Sequence, residues 1–140
     1  MTHPAIANQA ATIVPEARRM EFLPELFGRK LMLIGERTVF EFMSWLAAED
    51  YGGGLWNFYE FDNRPLFLAP ASEQRFRISC DTNGYQGEVS AEAAGIVATL
   101  FALSHLSFQH SSEHLSDSYT RLYDYAADHA EARKIFQAID

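Results

Sequence analysis

The spacing of apolar residues divides this chain into elements. Residues 90–108, SAEAAGIVATLFALSHLSF, distribute Ile96, Val97, Leu100, Phe101, Leu103, Leu106 and Phe108 over far more of a helical circumference than one apolar stripe. The pattern predicts a buried central helix around which the rest is organised. Its remaining arc carries Gly95, Ala98 and Ala102, small residues that allow another element to approach the backbone closely. Ser90 has the side chain of an N-cap, with Glu92 adding favourable charge in the first turn.

Four further helical stretches are expected. PEARRMEFLPELF (15–27) reads as one short helix or two, with Pro15 in a first turn and Pro24 breaking the middle. ERTVFEFMSWLAAE (36–49) is amphipathic: Val39, Phe40, Phe42, Met43, Leu46 and Ala47 share a broad face, with Trp45 on its margin. Ser111 or Ser112 begins a long helix with an inner seam of Leu115, Tyr119, Leu122 and Ala126, and a last short helix docks Ile135, Phe136 and Ile139.

Between the second and central helices the period falls from 3.6 to 2. LWNFYEF (55–61) and PLFLAP (65–70) flank turn residues Asp62-Asn63-Arg64 and read as two antiparallel strands. In 75–80, Phe76, Ile78 and Cys80 alternate inward against Arg75, Arg77 and Ser79. Asn83-Gly84 then calls for a two-residue type I′ hairpin, setting Ile78 opposite Val89, Cys80 opposite Gly87 and Arg77 diagonal to Glu88. The fold class expected is α+β: a meander of three or four antiparallel strands packed against the buried helix and two to four others. Residues 1–14 are small, polar and aperiodic and read as a mobile arm; residues 15–140 read as a single domain, with no repeat or linker.

Composition changes this picture little. At 48% hydrophobic, 14% aromatic and 21% charged, the 140 residues are those of a globular chain. One cysteine, Cys80, closes no internal disulfide and suits a reducing compartment. No basic-then-apolar leader is present at the N-terminus, and the longest apolar run, Ala93–Leu103, is about half of what a membrane span needs. A soluble cytoplasmic protein is expected. Eleven basic against 19 acidic residues leave a net charge of −8, which opposes binding to free nucleic acid and leaves room for a basic protein partner.

The candidate chemistry is sparse. His110 and His114 are four apart, but no Glu lies between them and Ser111-Ser112 starts a helix there, so no metal site is expected; His105 reads as a core histidine. There is no G-x-S-x-G elbow, and Cys80 sits mid-strand without a cationic neighbour. Glu49-Asp50 and Asp124 with Asp128 read as exposed helix surface. Gly52-Gly53-Gly54 lacks the Lys and Ser/Thr of a phosphate loop and reads as a chain-reversing segment. Glu113, Asp117, Asp124, Asp128 and Glu131 string carboxylates along one helical face at a rise not far from phosphate spacing, interrupted by Arg121.

EDYGGGLWNFYEF (49–61), PLFLAP (65–70), SAEAAGIVATLFALSHL (90–106), RRMEFLPELFGRKLM near the start and the closing FQAID together resemble the ArdB/KlcA antirestriction family, in the same order from about Arg18 to Asp140. The resemblance implies a cytoplasmic protein of plasmids, phages or genomic islands that relieves type I restriction of incoming unmodified DNA without an enzymatic activity or cofactor of its own. Its implied partner is the host type I restriction-modification machinery, engaged directly or indirectly. Candidate contacts are Tyr51, Trp56, Phe58, Tyr59 and the acidic residues Asp124, Asp128 and Asp140, since aromatic residues carry much interface energy. The alternatives are direct DNA mimicry by the acidic row, and a small-ligand module or enzyme with polar groups converging near His105, Tyr59 and Gly52–Gly54.

Overall fold

The computed structural model describes residues 10–140. Five helices, α1 (Arg19–Phe27), α2 (Met32–Leu46), α3 (Ala91–Gln109), α4 (Glu113–Ala127) and α5 (Ala132–Ile139), accompany five short strands. The strands are β1 (Thr12–Ile13), β2 (Trp56–Phe61), β3 (Arg64–Pro70), β4 (Arg75–Cys80) and β5 (Tyr85–Ser90). This is the expected antiparallel α+β class, but the strands divide between two sheets, β1-β2-β3 and β4-β5, rather than forming one continuous meander. The division has a visible cause: both edges that would have to join are already occupied by side chains.

The first of those edges belongs to β3. Leu68 turns its backbone N–H and C=O away from β2, and both meet the hydroxyl of Thr99 on α3, at 3.3 and 3.4 Å. Thr99 is fully buried, as is the β3 stretch beside it. The helix can come this near because residue 95 is glycine: a Cβ there would overlap the Cβ of Ala69 and the carbonyl oxygen of Leu68. Central helix α3 thus touches α2, α4, α5 and both sheets. Its start is as expected, with Ser90 Oγ accepting from Ala93 N at 3.1 Å. Ile96, Val97, Leu100, Leu103 and Leu106 are buried; Phe108, in the last turn, is 88% exposed and does not belong to the core. The helix is long and apolar enough to cross a membrane, but most of it lies inside this fold.

The second edge is that of β4. Asp50, just past α2, accepts from the backbone N–H of Arg77 (2.8 Å) and from its guanidinium (3.0 and 2.6 Å). Glu49-Asp50 is therefore not ordinary helix surface, since Asp50 is a strand cap. On the far side of the hairpin Glu131 accepts from Ser90 N at 3.0 Å and from the Ser90 hydroxyl, the same hydroxyl that caps α3.

The β4–β5 register differs from expectation by two residues. Cys80 pairs with Tyr85, Ile78 with Gly87 and Phe76 with Val89, and Arg77 lies directly opposite Glu88. The loop is four residues long; in it only Gly84 takes a positive φ (77°), and its N–H returns to Cys80 O at 2.9 Å. Asn83 is drawn out of a tight turn because its side chain binds elsewhere, accepting from Tyr85 N and donating to the carbonyls of Gln137 and Ala138 at the end of α5. A shift of two preserves the faces, so Phe76, Ile78 and Cys80 remain inward. The left-handed two-residue turn occurs instead at Asp62-Asn63, φ 53° and 59°, between β2 and β3. Asp and Asn tolerate that conformation better than other residues with a side chain.

Other departures are local. Pro24 lies inside α1 without breaking it, while Gly28, φ 85°, ends the helix. The α1 carbonyls of Glu25 and Leu26 accept from the His114 ring and from Ser118 Oγ (2.8 Å) on α4, so one helix finishes the other. The second helix begins at Met32, earlier than expected, after a 3₁₀ turn over Arg29–Leu31. Of the segment expected to be an arm, residues 1–9 lie outside the described residues. Thr12 and Ile13, however, pair with Glu60 and Tyr59, and Val14 is buried. Beside them Arg18 grips buried Glu60 with two bonds of 2.7 and 2.6 Å.

Gly95 supplies the test. Replacing an interior helical glycine by alanine in open space gains about 1 kcal/mol, whereas here Gly95→Ala forces α3 away from β3 and should lose about 1–3 kcal/mol, read from urea unfolding at neutral pH. A stabilised variant would show that the approach of α3 to Ala69 is not tight in solution.

Candidate interaction surface

The aromatic residues divide between the core, which holds Phe22, Phe27, Trp56, Phe58, Phe67 and Phe76, and partly exposed clusters on the helices. Among the described residues no three His, Cys, Asp or Glu side chains are placed to share a metal ion. The larger concavities are open furrows. One of about 570 Å³ runs from Trp45 and Glu49 to the outer face of the β4–β5 hairpin, and one of about 440 Å³ lies between α2 and α3. Trp45 lines both. It is 38% exposed and edge-on to Phe42 (6.1 Å) and Phe101 (6.0 Å), whose rings stack on each other at 5.5 Å. His105 is exposed here, edge-on to Phe42 at 5.7 Å, and is not the core histidine expected.

The expected aromatic contacts separate into two groups. Trp56 and Phe58 are only 8% and 7% exposed and are committed to packing. Trp56 donates its indole N–H to Tyr51 Oη at 3.0 Å and packs against Phe40; Phe58 stacks on Phe22 at 4.4 Å, with the Arg19 guanidinium 4.2 Å over its ring. Tyr51 and Tyr59 are half-buried. Tyr59 stacks on Phe67 at 4.6 Å, and burial pushes its phenol above the usual range. The glycines between α2 and β2 turn the chain, with φ of 99° and 117° at Gly53 and Gly54.

Asp124, Asp128 and Asp140 are exposed, as are Glu113 and Asp117. Glu131 leaves that row, since its carboxylate is turned onto Ser90. Burial acts to raise the Glu131 pKa, but the two bonds from Ser90 and the charges of His129 and Arg75 outweigh it and hold the group below the ordinary range. On the same two helices lie aromatic residues that were not among the expected contacts, two of which, Tyr119 and Phe136, the pattern assigned to inward seams. Tyr123, 41% exposed, lies 4.9 Å from Phe136 and 6.0 Å from Tyr119, and burial, followed by the charges of Tyr123 and Asp140, raises the Tyr119 pKa. A partly exposed aromatic cluster thus forms where α4 meets α5, with Asp140 near Tyr119. Its sequence signals were the places of Tyr119 and Phe136 in the apolar seams of the last two helices.

This arrangement suits recognition of a protein. Exposed ring faces supply area at low conformational cost, and neighbouring carboxylates steer basic surfaces toward them.

A family model described as Antirestriction protein matches residues 49–140. Two antirestriction proteins KlcA of Escherichia coli are similar over nearly the whole length: one is 47% identical, covering 93% of this chain and 92% of the relative, the other 43% identical, covering 93% and 94%. The fold matches a solved structure of the KlcA and ArdB proteins with a TM-score of 0.83 and 42% identity over 94% of each chain. Those proteins are described as having a novel fold and antirestriction activity against type I DNA restriction systems in vivo but not in vitro.

Asp50 provides a pH test of the α2–hairpin junction beside the larger furrow. Its bonds from the Arg77 side chain and backbone hold its pKa at about 2, from an ordinary 3.8. A depressed carboxylate contributes stability that is complete above its unfolded pKa and is lost as pH falls through the folded one. Stability should therefore drop between about pH 4 and pH 2, and Asp50→Asn should lower stability at neutral pH while flattening that acid limb in thermal melts. An unchanged acid limb in the variant would contradict the pairing.

Proposed function

Since this chain belongs to the antirestriction protein family, we propose that it acts in the cytoplasm to relieve type I restriction of incoming unmodified DNA, by non-enzymatic contact of its outer surface with a protein of the restriction machinery or one acting on it. The observation that carries this reading is near-full-length agreement with the KlcA and ArdB structure, whose proteins are described as active against type I systems in vivo but not in vitro. An inhibitor that blocked the enzyme directly would act in both settings. One that works through a further cellular component acts only in the first.

The contact surface we assign is the α4–α5 edge, with Tyr123 and Phe136 as the aromatic centre and Asp124, Asp128 and Asp140 as the charged border. Trp56 and Phe58 have too little exposed area to take part. Direct imitation of DNA is the weaker account. The carboxylate row loses Glu131 to Ser90, Arg121 interrupts it, and a net charge of −8 on 140 residues is modest for a phosphate mimic.

Expression in cells carrying a type I system should raise the plating efficiency of unmodified phage toward that of a restriction-deficient host. The purified protein in micromolar excess should leave DNA cleavage by the isolated enzyme unaltered. Unchanged plating would sink the reading, and potent inhibition of the isolated enzyme would favour mimicry. Tyr123→Ala combined with Asp124→Asn, Asp128→Asn and Asp140→Asn should abolish relief with the unfolding transition intact; retained relief would move the contact elsewhere.

A further inference from the structure

Leu33, Arg37, Glu41 and Trp45 follow one another at steps of four along α2 and form a single ridge on its surface, about 18 Å long by the helical rise. All four are exposed, Leu33 to 69%. Read in either direction the ridge is apolar, charged, charged, apolar, and reversing it exchanges the two charges. Its midpoint is Val39, with Arg37 and Glu41 two residues away and Leu33 and Trp45 six. Among the described residues no salt bridge involves Arg37 or Glu41, whereas Arg18, Arg75 and Arg77 are all ion-paired. The furrow of about 440 Å³ between α2 and α3 is lined by Arg37, Glu41 and Trp45 of the ridge and by Ile34, Phe42 and His105 beside it. The charges do not serve the helix itself. Arg29 and Lys30 precede a first turn without an acidic residue, and no basic residue lies in the last turn, the reverse of the order a helix dipole favours.

We propose that this ridge is the contact of a homodimer, in which α2 of one copy crosses α2 of a second about a two-fold axis at the level of Val39. An axis perpendicular to the ridge lays the two ridges alongside each other in opposite directions. Arg37 of each copy then meets Glu41 of the other, and Leu33 of each meets Trp45 of the other, so that every interaction is made twice. Helices packed through their four-residue ridges cross at about 50°, the commonest arrangement in globular proteins, and the furrow beside each ridge receives the other. A two-fold contact must be self-complementary. The α2 face meets that condition, whereas the α4–α5 edge, with Asp124, Asp128 and Asp140, would repel its own copy. The net charge of −8 opposes bringing two copies together, and that opposition is least at a face where cation and carboxylate balance. The contact stands whether or not the antirestriction reading does, because its test measures mass rather than relief of restriction.

Sedimentation velocity of the full-length protein, from micromolar to millimolar concentration at constant ionic strength, reads the association. The unaltered chain should pass from monomer toward dimer as its concentration rises. Arg37→Glu and Glu41→Arg each replace two attractions by two repulsions and should each weaken association by about tenfold. An equimolar mixture of those two variants should associate again, since each then meets its opposite, and the chain carrying both substitutions should recover association alone. Leu33→Ser, at a position with no part in the core, should weaken it by about fivefold with the unfolding transition unchanged. A chain that stays monomeric throughout the range would overturn the proposal, leaving the face to a different protein. A dimer indifferent to Arg37→Glu and Leu33→Ser would place the contact elsewhere and overturn it equally. Weakened single variants that do not recover on mixing would rule out the pairing of Arg37 with Glu41 across the axis.

Discussion

The fold depends on how closely one helix approaches one strand. Gly95 lets the α3 backbone lie against Leu68 and Ala69, and one turn later Thr99 uses its hydroxyl to satisfy both polar groups of Leu68. These two features need each other. A hydroxyl on a short side chain reaches a strand edge only if the axes are near, and an approach that near would leave the Leu68 N–H and C=O buried and unpaired without it. The unit joins a helix to a sheet edge where another protein would place a further strand, and it explains why β3, buried from Pro65 to Pro70, is an edge strand that nothing can pair with.

The same solution recurs elsewhere. Asp50 takes a backbone donor on the outer edge of β4, Glu131 takes Ser90 N at the end of β5, and Asn83 covers the last carbonyls of α5. His114 and Ser118 do this for α1. In a chain with sheets of three and two strands, the ladders alone leave many backbone groups without partners. Polar side chains from distant positions complete them, so residues that look like surface in one dimension are structural in three. This also uses up charge: Asp50, Glu60 and Glu131 are engaged internally, and the acidity available to a partner is smaller than the formal net value suggests.

Periodicity made the local elements legible. The Ser90 cap, the inward alternation of Phe76, Ile78 and Cys80, and the small-residue side of α3 follow from side-chain size and spacing, which are properties of neighbours in sequence. Long-range partners were not legible. The Asn83-Gly84 pair has the local chemistry of a two-residue turn, yet the carbonyls of α5, more than fifty residues away, claim the Asn83 side chain and lengthen the loop. Phe108 has the chemistry of the core but sits where α3 runs out of neighbours. The surface followed the same rule: the exposed carboxylates Asp124, Asp128 and Asp140 could be named in advance, while the pairing of Tyr123 with Phe136 depends on how α4 and α5 dock.

The distribution of aromatic rings bears on where a partner can act. Trp56 and Phe58 build the inner wall of β2, Phe42, Trp45 and Phe101 form a cluster along α2 and α3, and Tyr119, Tyr123 and Phe136 form another along α4 and α5. The two outer clusters are borne by helices that pack on α3. A protein docking on either one therefore meets elements packed against α3, which is itself seated on β3 through Gly95 and Thr99. Both clusters offer ring faces backed by the core, the kind of area that carries interface energy.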